Sequence, residues 1–453
     1  ISLFFFQQEF PCDCMDYLFL DIFHPCLYNK IMQLYQVKKF HSTENVLEAE
    51  VPASKSLLNR VLILAAFGHG STSILCGDFS DDTRAMLNCL TSLGVAWEKT
   101  AGGLIVHGCG NRIPNQTATL DVCSAGTAAR FLSVALAFSG GDYTMLASEQ
   151  MQKRPMEILA VLEQAGVSID YLAQPGHFPF ILHSKGISAD EFAVDTNLST
   201  QYASGVLLAA AVGHPLRLHL TGERTHGSYI AMTLRLIEQF GAKYTRDDDT
   251  ISITPSEHSP ELMEIEADLS GACYFYALSL LFHMRVCIPH VHMDTLQGDL
   301  RLLHLLQEKG VRLSDTPKGL LADGSSVTAY SGFEVNMRDF SDQALTIAAL
   351  APFATSETHI TGIGHIRKQE CDRIHAIVYN LRKLGIKAIE EEDGVRISPG
   401  EPLPATIECF DDHRVAMAFS LIGLKTGTLQ IENPLCCRKT FSNYFEILDS
   451  ITQ

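Results

Sequence analysis

A unit of about 70 residues recurs six times along this chain, and a period of that length constrains the fold more strongly than any single motif. In each copy, a small or polar residue opens a helix that is apolar on nearly every face. Such helices are expected to lie buried. Their openings are at Ser56, Thr127, Thr200, Ser270, Asp342 and Asp412.

The order of elements within a unit reads β-α-β-α-β-β, which predicts an α/β protein. The apolar helices are predicted at residues 59–67, 127–138, 201–212, 271–282, 343–350 and 413–422. A short β run follows, and then an amphipathic helix. In five copies this second helix ends beside a glycine, the usual residue at a helix C-terminus: Gly94, Gly166, Gly241, Gly310 and Gly385.

The length of 453 residues exceeds the size at which one hydrophobic core keeps growing, so two domains are expected. Three units fall in residues 55–266, which form one predicted domain. The sixth unit lacks its last strands, and a segment near residues 47–51 is expected to supply them. The other domain therefore takes residues 41–54 plus 267–453, with a hinge near Ala53 and Ala267. Residues 1–40 do not match this pattern, and we interpret them as a leader ahead of a start near Met32.

The formal net charge of −18 argues against nucleic acid or an anionic membrane as a partner, because both attract basic surfaces. No apolar run approaches the ~20 residues that cross a bilayer. Thirteen cysteines are scattered without the paired spacing of zinc sites. This usage favours reduced thiols, a cytoplasmic location and no metal.

The six helix openings predict an anion-binding cleft, because a helix N-terminus carries unpaired N–H groups and partial positive charge. A capping role alone explains each polar opener taken singly. Basic residues nevertheless gather at or beside these openings in an acidic chain, which favours a ligand with several negative charges. They are Lys55, Arg60, Arg130, Arg373, Arg414 and Lys439.

Eight motifs carry a resemblance to a known family. They are PASKSLLNR at 52–60, SAGTAAR at 124–130, STQ at 199–201, QGD at 297–299, SDQ at 341–343, RKQECDR at 367–373, DDHR at 411–414 and KTF at 439–441. In this order they resemble the 5-enolpyruvylshikimate-3-phosphate synthase family over about residues 45–450. The resemblance implies the two-domain enolpyruvyl transferase fold. Each domain is then an inside-out α/β barrel of three βαβαββ units.

The resemblance also implies a reaction and its substrates. The family transfers the enolpyruvyl group of phosphoenolpyruvate to the 5-hydroxyl of shikimate 3-phosphate and releases phosphate, without metal or cofactor. We expect a monomer. The residues implied for shikimate 3-phosphate are Lys55, Ser56, Arg60, Ser199, Thr200, Gln201 and Asp342. Those implied for phosphoenolpyruvate are Lys55, Gly126, Gln201, Arg373, Arg414 and Lys439.

By the same resemblance, Asp342, Glu370 and Lys55 are the implied catalytic residues. The reaction takes a proton from the 5-hydroxyl and delivers one to the methylene carbon, so two carboxylates in opposite protonation states suit it. Asp342 is the expected base, kept ionised by nearby cations. Glu370 is the expected acid, with a pKa raised by burial. Lys55 and Lys439 are expected to stabilise charge on the reacting groups.

Several positions depart from the family pattern. Ala53 replaces a usual Gly, Ser124 a common Asn, His365 a frequent Asn and Gln369 a common Lys. Gln150 stands where many relatives place an Arg that binds phosphoenolpyruvate. This last change predicts a raised KM for phosphoenolpyruvate, which Gln150→Arg is expected to lower.

Two alternative functions remain open. The first is the sister enolpyruvyl transferase that acts on UDP-N-acetylglucosamine, whose family opens with a Lys-Asn signature, whereas Ser56 follows Lys55 here. The second is a non-catalytic, anion-binding relative. Retention of both Asp342 and Glu370 argues against the second alternative.

Overall fold

The computed structural model describes residues 34–41, 45–110, 112–197 and 199–452. Leu34–Gln453 form one compact unit. The start predicted near Met32 and most of the predicted leader lie outside the described residues. Within these ranges, every helix is too short or too polar to cross a membrane.

Helices occur at all six positions predicted from the apolar runs. The α-helices are α1 (Lys55–Phe67), α2 (Asp81–Ser92), α3 (Gly126–Ser139), α4 (Glu149–Gln152), α5 (Ile158–Gln164), α6 (Thr200–Val212), α7 (Ser228–Gln239), α8 (Leu269–Leu281), α9 (Leu300–Glu308), α10 (Ala344–Leu350), α11 (Arg373–Lys383), α12 (His413–Thr426) and α13 (Tyr444–Ile451). The five glycines predicted at helix ends have φ between 75° and 100°. This left-handed conformation is accessible to glycine without steric cost.

The described strands are short, and each has two to six residues. They are β1 (Leu34–Gln36), β2 (Leu47–Glu48), β3 (Ser71–Leu75), β4 (Trp97–Thr100), β5 (Gly103–His107), β6 (Thr117–Asp121), β7 (Gly141–Leu146), β8 (Ser168–Tyr171), β9 (Phe180–Ser184), β10 (Glu191–Asp195), β11 (Leu216–Thr221), β12 (Lys243–Asp247), β13 (Thr250–Thr254), β14 (Leu262–Glu264), β15 (Arg285–Pro289), β16 (Arg312–Asp315), β17 (Gly319–Asp323), β18 (Glu334–Asn336), β19 (Thr358–Thr361), β20 (Ala388–Glu391), β21 (Gly394–Ile397), β22 (Ala405–Ile407) and β23 (Leu429–Glu432).

The described strands form six small sheets. Their orders are β14-β3-β5-β4, β6-β7-β9-β8, β10-β11-β13-β12, β2-β15-β17-β16, β18-β19-β21-β20 and β22-β23-β1. In each order the first pair is parallel and the next pair is antiparallel. The five four-stranded sheets end in an antiparallel hairpin. The chain therefore has mixed α/β content distributed over several small sheets.

The strand that completes the sixth sheet is β1, so the expectation that residues near 47–51 do so is wrong. Leu34 of β1 lies opposite Glu432 of β23, and β2 instead runs parallel to β15. Val37 and Phe40, within the predicted leader, are buried. Both sheets offer an open edge that needs a main-chain partner. Proximity in sequence cannot decide which N-terminal segment takes which edge.

The buried apolar side chains form two clusters. The first spans residues 57–265, and within it α1, α3 and α6 contact one another. The second contains residues 37–49 and 267–448, and within it α8, α10 and α12 contact one another. The chain passes between the clusters at Ala53 and Ala267, which pair as an antiparallel bridge. The two connections therefore run side by side.

The helix caps correct the predicted openings in detail. Asp412 caps α12 as predicted, and its Oδ1 accepts the backbone N–H of Arg414 at 2.9 Å. The 3-10 turn Ser341–Gln343, which contains Asp342, precedes α10. In α1, α3, α6 and α8, the polar residue predicted to open the helix lies inside its first turn, one or two residues after the true N-cap. The N-cap residues are Ser54, Ala125, Ser199 and Asp268 rather than Ser56, Thr127, Thr200 and Ser270.

Candidate active site

A cavity lies where five of the six apolar helices begin. Residues near the N-termini of α1, α3, α6 and α12 and in the turn before α10 line it. Among the described residues, nine Lys and Arg side chains and five carboxylates line it, although the whole chain carries a formal charge of −18. The helix ends add partial positive charge. The cavity is therefore suited to a ligand with several negative charges.

The N-termini of α1 and α3 lack capping side chains. Ser54 and Ala125, their N-cap residues, make no side-chain hydrogen bond to the first turn. The first N–H groups of these helices consequently lack the acceptor that usually satisfies them. An anionic group in the cavity is the natural substitute.

Arg60 is a buried cation in the second turn of α1, with 1% of its surface exposed. Its Nε donates to Thr233 Oγ1 at 2.8 Å, and its guanidinium lies over the rings of Phe131 and Tyr229, 5.2 and 5.6 Å from their centroids. Burial lowers the pKa of Arg60 to about 10. These contacts hold the guanidinium rigidly without neutralising its charge.

Two further arginines flank Gly126. The Nε atoms of Arg130 and Arg154 are buried and have no hydrogen-bond partner among the described residues. Burial, reinforced by the charge of Arg130, lowers the pKa of Arg154 to about 10. A methyl group on Gly126 would lie 2.8 Å from Nη1 of Arg130 and 3.3 Å from Nη1 of Arg154. Glycine at this position therefore leaves the space that both guanidinium groups occupy.

Asp342 lies at the junction of both clusters. Its Oδ1 accepts from Arg373 Nη1 at 2.9 Å, and its Oδ2 accepts from Arg414 Nη2 at 3.0 Å and from the Tyr229 hydroxyl at 2.8 Å. Burial alone would raise the pKa of Asp342, but Arg414 and Arg373 outweigh it and hold that pKa well below its usual range. The carboxylate is therefore ionised, as predicted for a base.

Glu370 departs from its predicted protonation state. Its Oε1 lies 2.9 Å from Lys439 Nζ, and its Oε2 lies 3.0 Å from His413 Nδ1. Burial favours a raised pKa, but Lys439 and His413 outweigh it, so the pKa of Glu370 lies well below its usual range. The expectation of a raised pKa is wrong for the unliganded protein. The sequence indicated that Glu370 is buried, but it did not indicate that Lys439 and His413 lie beside its carboxylate.

The other predicted residues fall in the same region. Lys55 lines the cavity and pairs with Asp82 at 3.0 Å, and Oε1 of Gln201 is buried without a partner among the described residues. Lys439 does not line the cavity, but its Nζ lies 2.9 Å from Oε1 of Glu370, which does. The remaining predicted residues that line the cavity are Ser56, Ser199, Thr200, Gly126, Arg373 and Arg414.

Two of the positions that depart from the family pattern, Gln369 and His365, make local side-chain hydrogen bonds. Oε1 of Gln369 accepts from Arg373 Nη1 at 2.6 Å. Nε2 of His365 lies 2.8 Å from Ser341 Oγ, and burial lowers the pKa of His365 to about 4. The imidazole is therefore neutral at physiological pH and adds no charge to the cavity.

Sequence reasoning singled out the wrong residue in the segment 149–155. Gln150 is not part of the cavity wall, and its Nε2 donates to the backbone oxygen of Glu370 at 3.4 Å. Arg154, four residues later, lines the cavity instead. Spacing alone did not show which position of this short segment faces the cavity. Other lining residues that were not predicted are Arg224, Tyr229, Asp299, Arg338, Lys368 and His413.

Asp299 is a buried carboxylate of the cavity wall, where the effect of burial on its pKa outweighs the nearby charge of Arg414. It accepts a hydrogen bond from the Ser270 hydroxyl. Burial, and secondarily the charge of Asp342, raises the pKa of Asp299 from 3.8 to about 6. The folded protein therefore holds this proton between pH 4 and 6, where the unfolded chain releases it. Ionisation of Asp299 thus reduces stability as pH rises through this window.

Replacing Asp299 by Asn is expected to increase the free energy of unfolding at pH 7.5, by up to about 3 kcal/mol. The gain should shrink below pH 4, where both folded and unfolded wild-type chains are protonated at this position. Urea unfolding at both pH values checks this, with Asp190→Asn as a surface control. A variant less stable than wild type at pH 7.5 would contradict the raised pKa.

One cluster at the edge of the cavity, Glu370, Asp412 and His413, has the spacing to hold a cation. Two of its members already have cationic partners. Asp412 accepts from Arg373 Nε at 2.8 Å, and Lys439 pairs with Glu370. A metal ion would have to displace both cations, so the donor set fits a metal poorly.

Comparison with known proteins shows which family the chain resembles. A family model described as EPSP synthase (3-phosphoshikimate 1-carboxyvinyltransferase) matches residues 43–448. A relative from Halalkalibacterium halodurans named 3-phosphoshikimate 1-carboxyvinyltransferase 2 is 37% identical over 88% of this chain and 91% of its own length. A 3-phosphoshikimate 1-carboxyvinyltransferase from Nostoc punctiforme is 35% identical over 87% of this chain and 94% of its own length.

A solved structure of EPSP synthase from Acinetobacter baumannii shares the fold. It superposes with a TM-score of 0.74 and 22% identity, covering 93% of this chain and 98% of that one. The family model spans most of the chain, and the two named relatives exceed one third identity over most of their lengths. The chain therefore belongs to the EPSP synthase (3-phosphoshikimate 1-carboxyvinyltransferase) family.

Proposed function

We propose that this chain transfers the enolpyruvyl group of phosphoenolpyruvate to the 5-hydroxyl of shikimate 3-phosphate and releases phosphate. The observation that carries the proposal is the cation-rich cavity, in which Arg130 and Arg154 have buried nitrogen atoms without a partner among the described residues. Such burial is costly unless anions occupy the cavity in the working enzyme. Phosphate and carboxylate groups of two substrates supply them. Membership of the family supports the same reaction.

Shikimate 3-phosphate is proposed to bind against α1 and α6. The uncapped end of α1 and the fixed guanidinium of Arg60 suit its phosphate group. Gln201, whose Oε1 has no partner among the described residues, suits a hydroxyl donor. The residues proposed for this substrate are Lys55, Ser56, Arg60, Ser199, Thr200, Gln201 and Asp342.

Phosphoenolpyruvate is proposed to bind on the other side of the cavity, where arginines suit bidentate pairing with phosphate and carboxylate. Its residues are Lys55, Gly126, Gln201, Arg373, Arg414 and Lys439, to which the geometry adds Arg154. Arg154 lies beside Gly126 and has an unpartnered Nε. Arg154 therefore supplies the phosphoenolpyruvate-binding cation that was expected to be missing because of Gln150.

Replacing Arg154 by Gln is expected to raise the KM for phosphoenolpyruvate about 10- to 100-fold, since a charge-assisted hydrogen bond contributes about 1.5–3 kcal/mol. Gln150→Arg, four residues away and outside the cavity wall, is the matched variant. It should leave this KM unchanged, contrary to the prediction from sequence. Steady-state phosphate release measures both. A lower KM in Gln150→Arg, with no effect of Arg154→Gln, would reverse the assignment.

The proposed reaction is an addition followed by an elimination. Asp342 takes the proton of the 5-hydroxyl as its oxygen bonds to C2 of phosphoenolpyruvate, while a proton from Glu370 makes the methylene carbon a methyl group. Glu370 then takes back a methyl proton, the double bond re-forms, and the C2–O bond to phosphate breaks as the leaving phosphate takes the proton held by Asp342. Lys55 and Lys439 stabilise the developing charge.

Glu370 must gain a proton before it acts as the acid. Its pKa is low because Lys439 and His413 stabilise the ionised form. We propose that the substrate phosphate and carboxylate draw the Lys439 ammonium away and add negative charge nearby. Both changes raise the pKa of Glu370 in the ternary complex. Substrate binding thus prepares the acid.

We also propose a finer architecture. The six sheets with their helices are six copies of one βαβαββ unit, three in each inside-out α/β barrel. The domains take residues 55–266 and residues 41–54 plus 267–453, to which residues 34–40 are added because β1 pairs with β23. We propose a monomer in the cytoplasm, where thiols such as Cys89 and Cys273 stay reduced.

Phosphate release with each acceptor tests the function. Turnover of phosphoenolpyruvate is expected with shikimate 3-phosphate and not with UDP-N-acetylglucosamine. Turnover only with the UDP-sugar would establish the sister activity. Binding of both phosphorylated substrates with no phosphate released in a single-turnover experiment would establish the non-catalytic relative.

A further inference from the structure

Two buried hydroxyl groups hold the guanidinium of Arg60 from behind the candidate active site. Thr233 of α7 and Ser204 of α6 are fully buried, and neither lines the cavity. Thr233 Oγ1 accepts from Arg60 Nε at 2.8 Å, and Ser204 Oγ accepts from Arg60 Nη2 at 3.3 Å. A buried hydroxyl is costly unless it is hydrogen-bonded. Both side chains are therefore placed to act on a ligand in the cavity only through Arg60.

The hydrogen bonds around Arg60 have one orientation that satisfies every group. Thr233 Oγ1 lies 2.8 Å from the backbone oxygen of Tyr229 and 3.0 Å from Ser204 Oγ. A hydroxyl has one proton to donate and two lone pairs that accept. When Thr233 donates to the carbonyl, which can only accept, Ser204 donates to Thr233 and accepts from Arg60. Each hydroxyl then presents a lone pair to the guanidinium.

This network leaves part of the Arg60 guanidinium available to a ligand. An arginine side chain has five N–H donors. One is used by Thr233, one by Ser204 and one by the backbone oxygen of Ser56, which lies 2.7 Å from Nη1. One N–H group therefore remains on each Nη atom. All three acceptors are uncharged, so the guanidinium keeps its positive charge for an anionic ligand.

We propose that Thr233 and Ser204 are positioning residues, which fix the rotation of the Arg60 guanidinium so that its two remaining N–H groups face shikimate 3-phosphate. This inference rests on the proposed function, because it places that substrate at Arg60. A guanidinium recognises an anion through donors in a rigid plane, so a rotation of the plane misdirects both hydrogen bonds. The rings of Phe131 and Tyr229 pack against the guanidinium. They attract the cation, whereas the oxygen acceptors direct its individual N–H groups.

Replacing Thr233 by Val removes the hydroxyl and keeps the shape of the side chain. The KM for shikimate 3-phosphate is expected to rise about tenfold, with kcat and the KM for phosphoenolpyruvate changed less than about twofold, because only the acceptor that directs Arg60 is lost. Thr233→Ser keeps the hydroxyl and should retain the wild-type KM. Ser204→Ala should raise the same KM as Thr233→Val. Steady-state phosphate release measures all three variants. A wild-type KM in both Thr233→Val and Ser204→Ala would overturn the proposal.

A matched control separates positioning from a merely structural role. Thr72 is also a buried threonine outside the cavity wall, and its hydroxyl donates to the backbone oxygen of Pro260 at 2.8 Å. Thr72→Val should lower stability in urea and leave every KM unchanged. If Thr233→Val behaved in the same way, losing stability without a change in KM, Thr233 would be a structural residue and the proposal would be wrong.

A double-mutant cycle tests whether Thr233 acts through Arg60. In an Arg60→Lys background, Thr233→Val should cause no further loss of affinity for shikimate 3-phosphate, since the group that Thr233 directs is gone. Calorimetric titration with shikimate 3-phosphate alone measures this affinity without turnover. Losses that multiply in the double variant would contradict the proposal. Equally tight binding by wild type and Thr233→Val would refute the positioning role alone, whereas no binding by wild type would refute the proposed function as well.

Discussion

Replacing Asp342 by Asn is expected to lower kcat about 10²- to 10⁴-fold, the usual contribution of a general base. Asn keeps the shape of Asp, and its one amide oxygen can still accept from Tyr229 and Arg414, although the bond from Arg373 to the other carboxylate oxygen is lost. It cannot take the proton of the 5-hydroxyl. Affinity for shikimate 3-phosphate should therefore fall far less than kcat. Asp342→Ala should show the same loss of turnover with weaker binding.

Single-turnover phosphate release and calorimetric titration with shikimate 3-phosphate measure the two quantities separately. Asp339→Asn is the matched control, since Asp339 lines the same cavity but pairs with Arg301 at 2.6 Å. It changes the charge of the cavity by the same amount. Equal losses of kcat in both variants would show that net charge matters rather than a base at Asp342.

Replacing Glu370 by Gln is expected to lower kcat by a similar factor, about 10² to 10⁴. Gln retains the volume of Glu and an oxygen that can lie beside Lys439 Nζ or His413 Nδ1, as the carboxylate oxygens do. It has no proton to deliver to the methylene carbon. The wild-type kcat should fall at high pH, as the acid in the ternary complex loses its proton. This high-pH limb should disappear in the variant.

The pH dependence of kcat in both proteins checks this prediction. Glu390→Gln is the control, because Glu390 lies outside the cavity wall and pairs with Arg367 at 2.7 Å. Its profile should match the wild type. If Glu370→Gln kept the wild-type limb at a reduced rate, another group would be the acid. Lys439 and His413 would then be the first candidates, because both contact Glu370.

Residue type and spacing were sufficient to predict much of the candidate site. Lys55, Gly126 and Arg414 lie at the starts of helices that were predicted from apolar runs in the sequence. All three line one cavity. The prediction that Gln150 is the cavity position of its segment was wrong, because the segment is short and the spacing of its polar residues does not show which of them faces the cavity. Only the packing of that segment against Gly126 places Arg154 at the cavity.

The protonation states of the two carboxylates were also predicted only in part from the sequence. Cations near Asp342 were predicted because Arg373 and Arg414 belong to recognisable motifs, and the low pKa of Asp342 agrees. Glu370 was expected to have a raised pKa because burial favours the neutral acid. The opposite holds in the unliganded protein, since Lys439 and His413 come from other parts of the chain and lie within 3.0 Å of its oxygens.

The local pattern of the sequence was sufficient to predict three features. They are the buried apolar helices, the glycines at the ends of the amphipathic helices that follow them, and the α/β composition. These depend on hydrophobic periodicity and on backbone conformations that few residues adopt. Tertiary structure alone decided which strand closes each sheet, which arginine faces the cavity, and which charge state Glu370 holds. Those outcomes depend on contacts between residues far apart in sequence, and their energies change over a few ångströms that no spacing records.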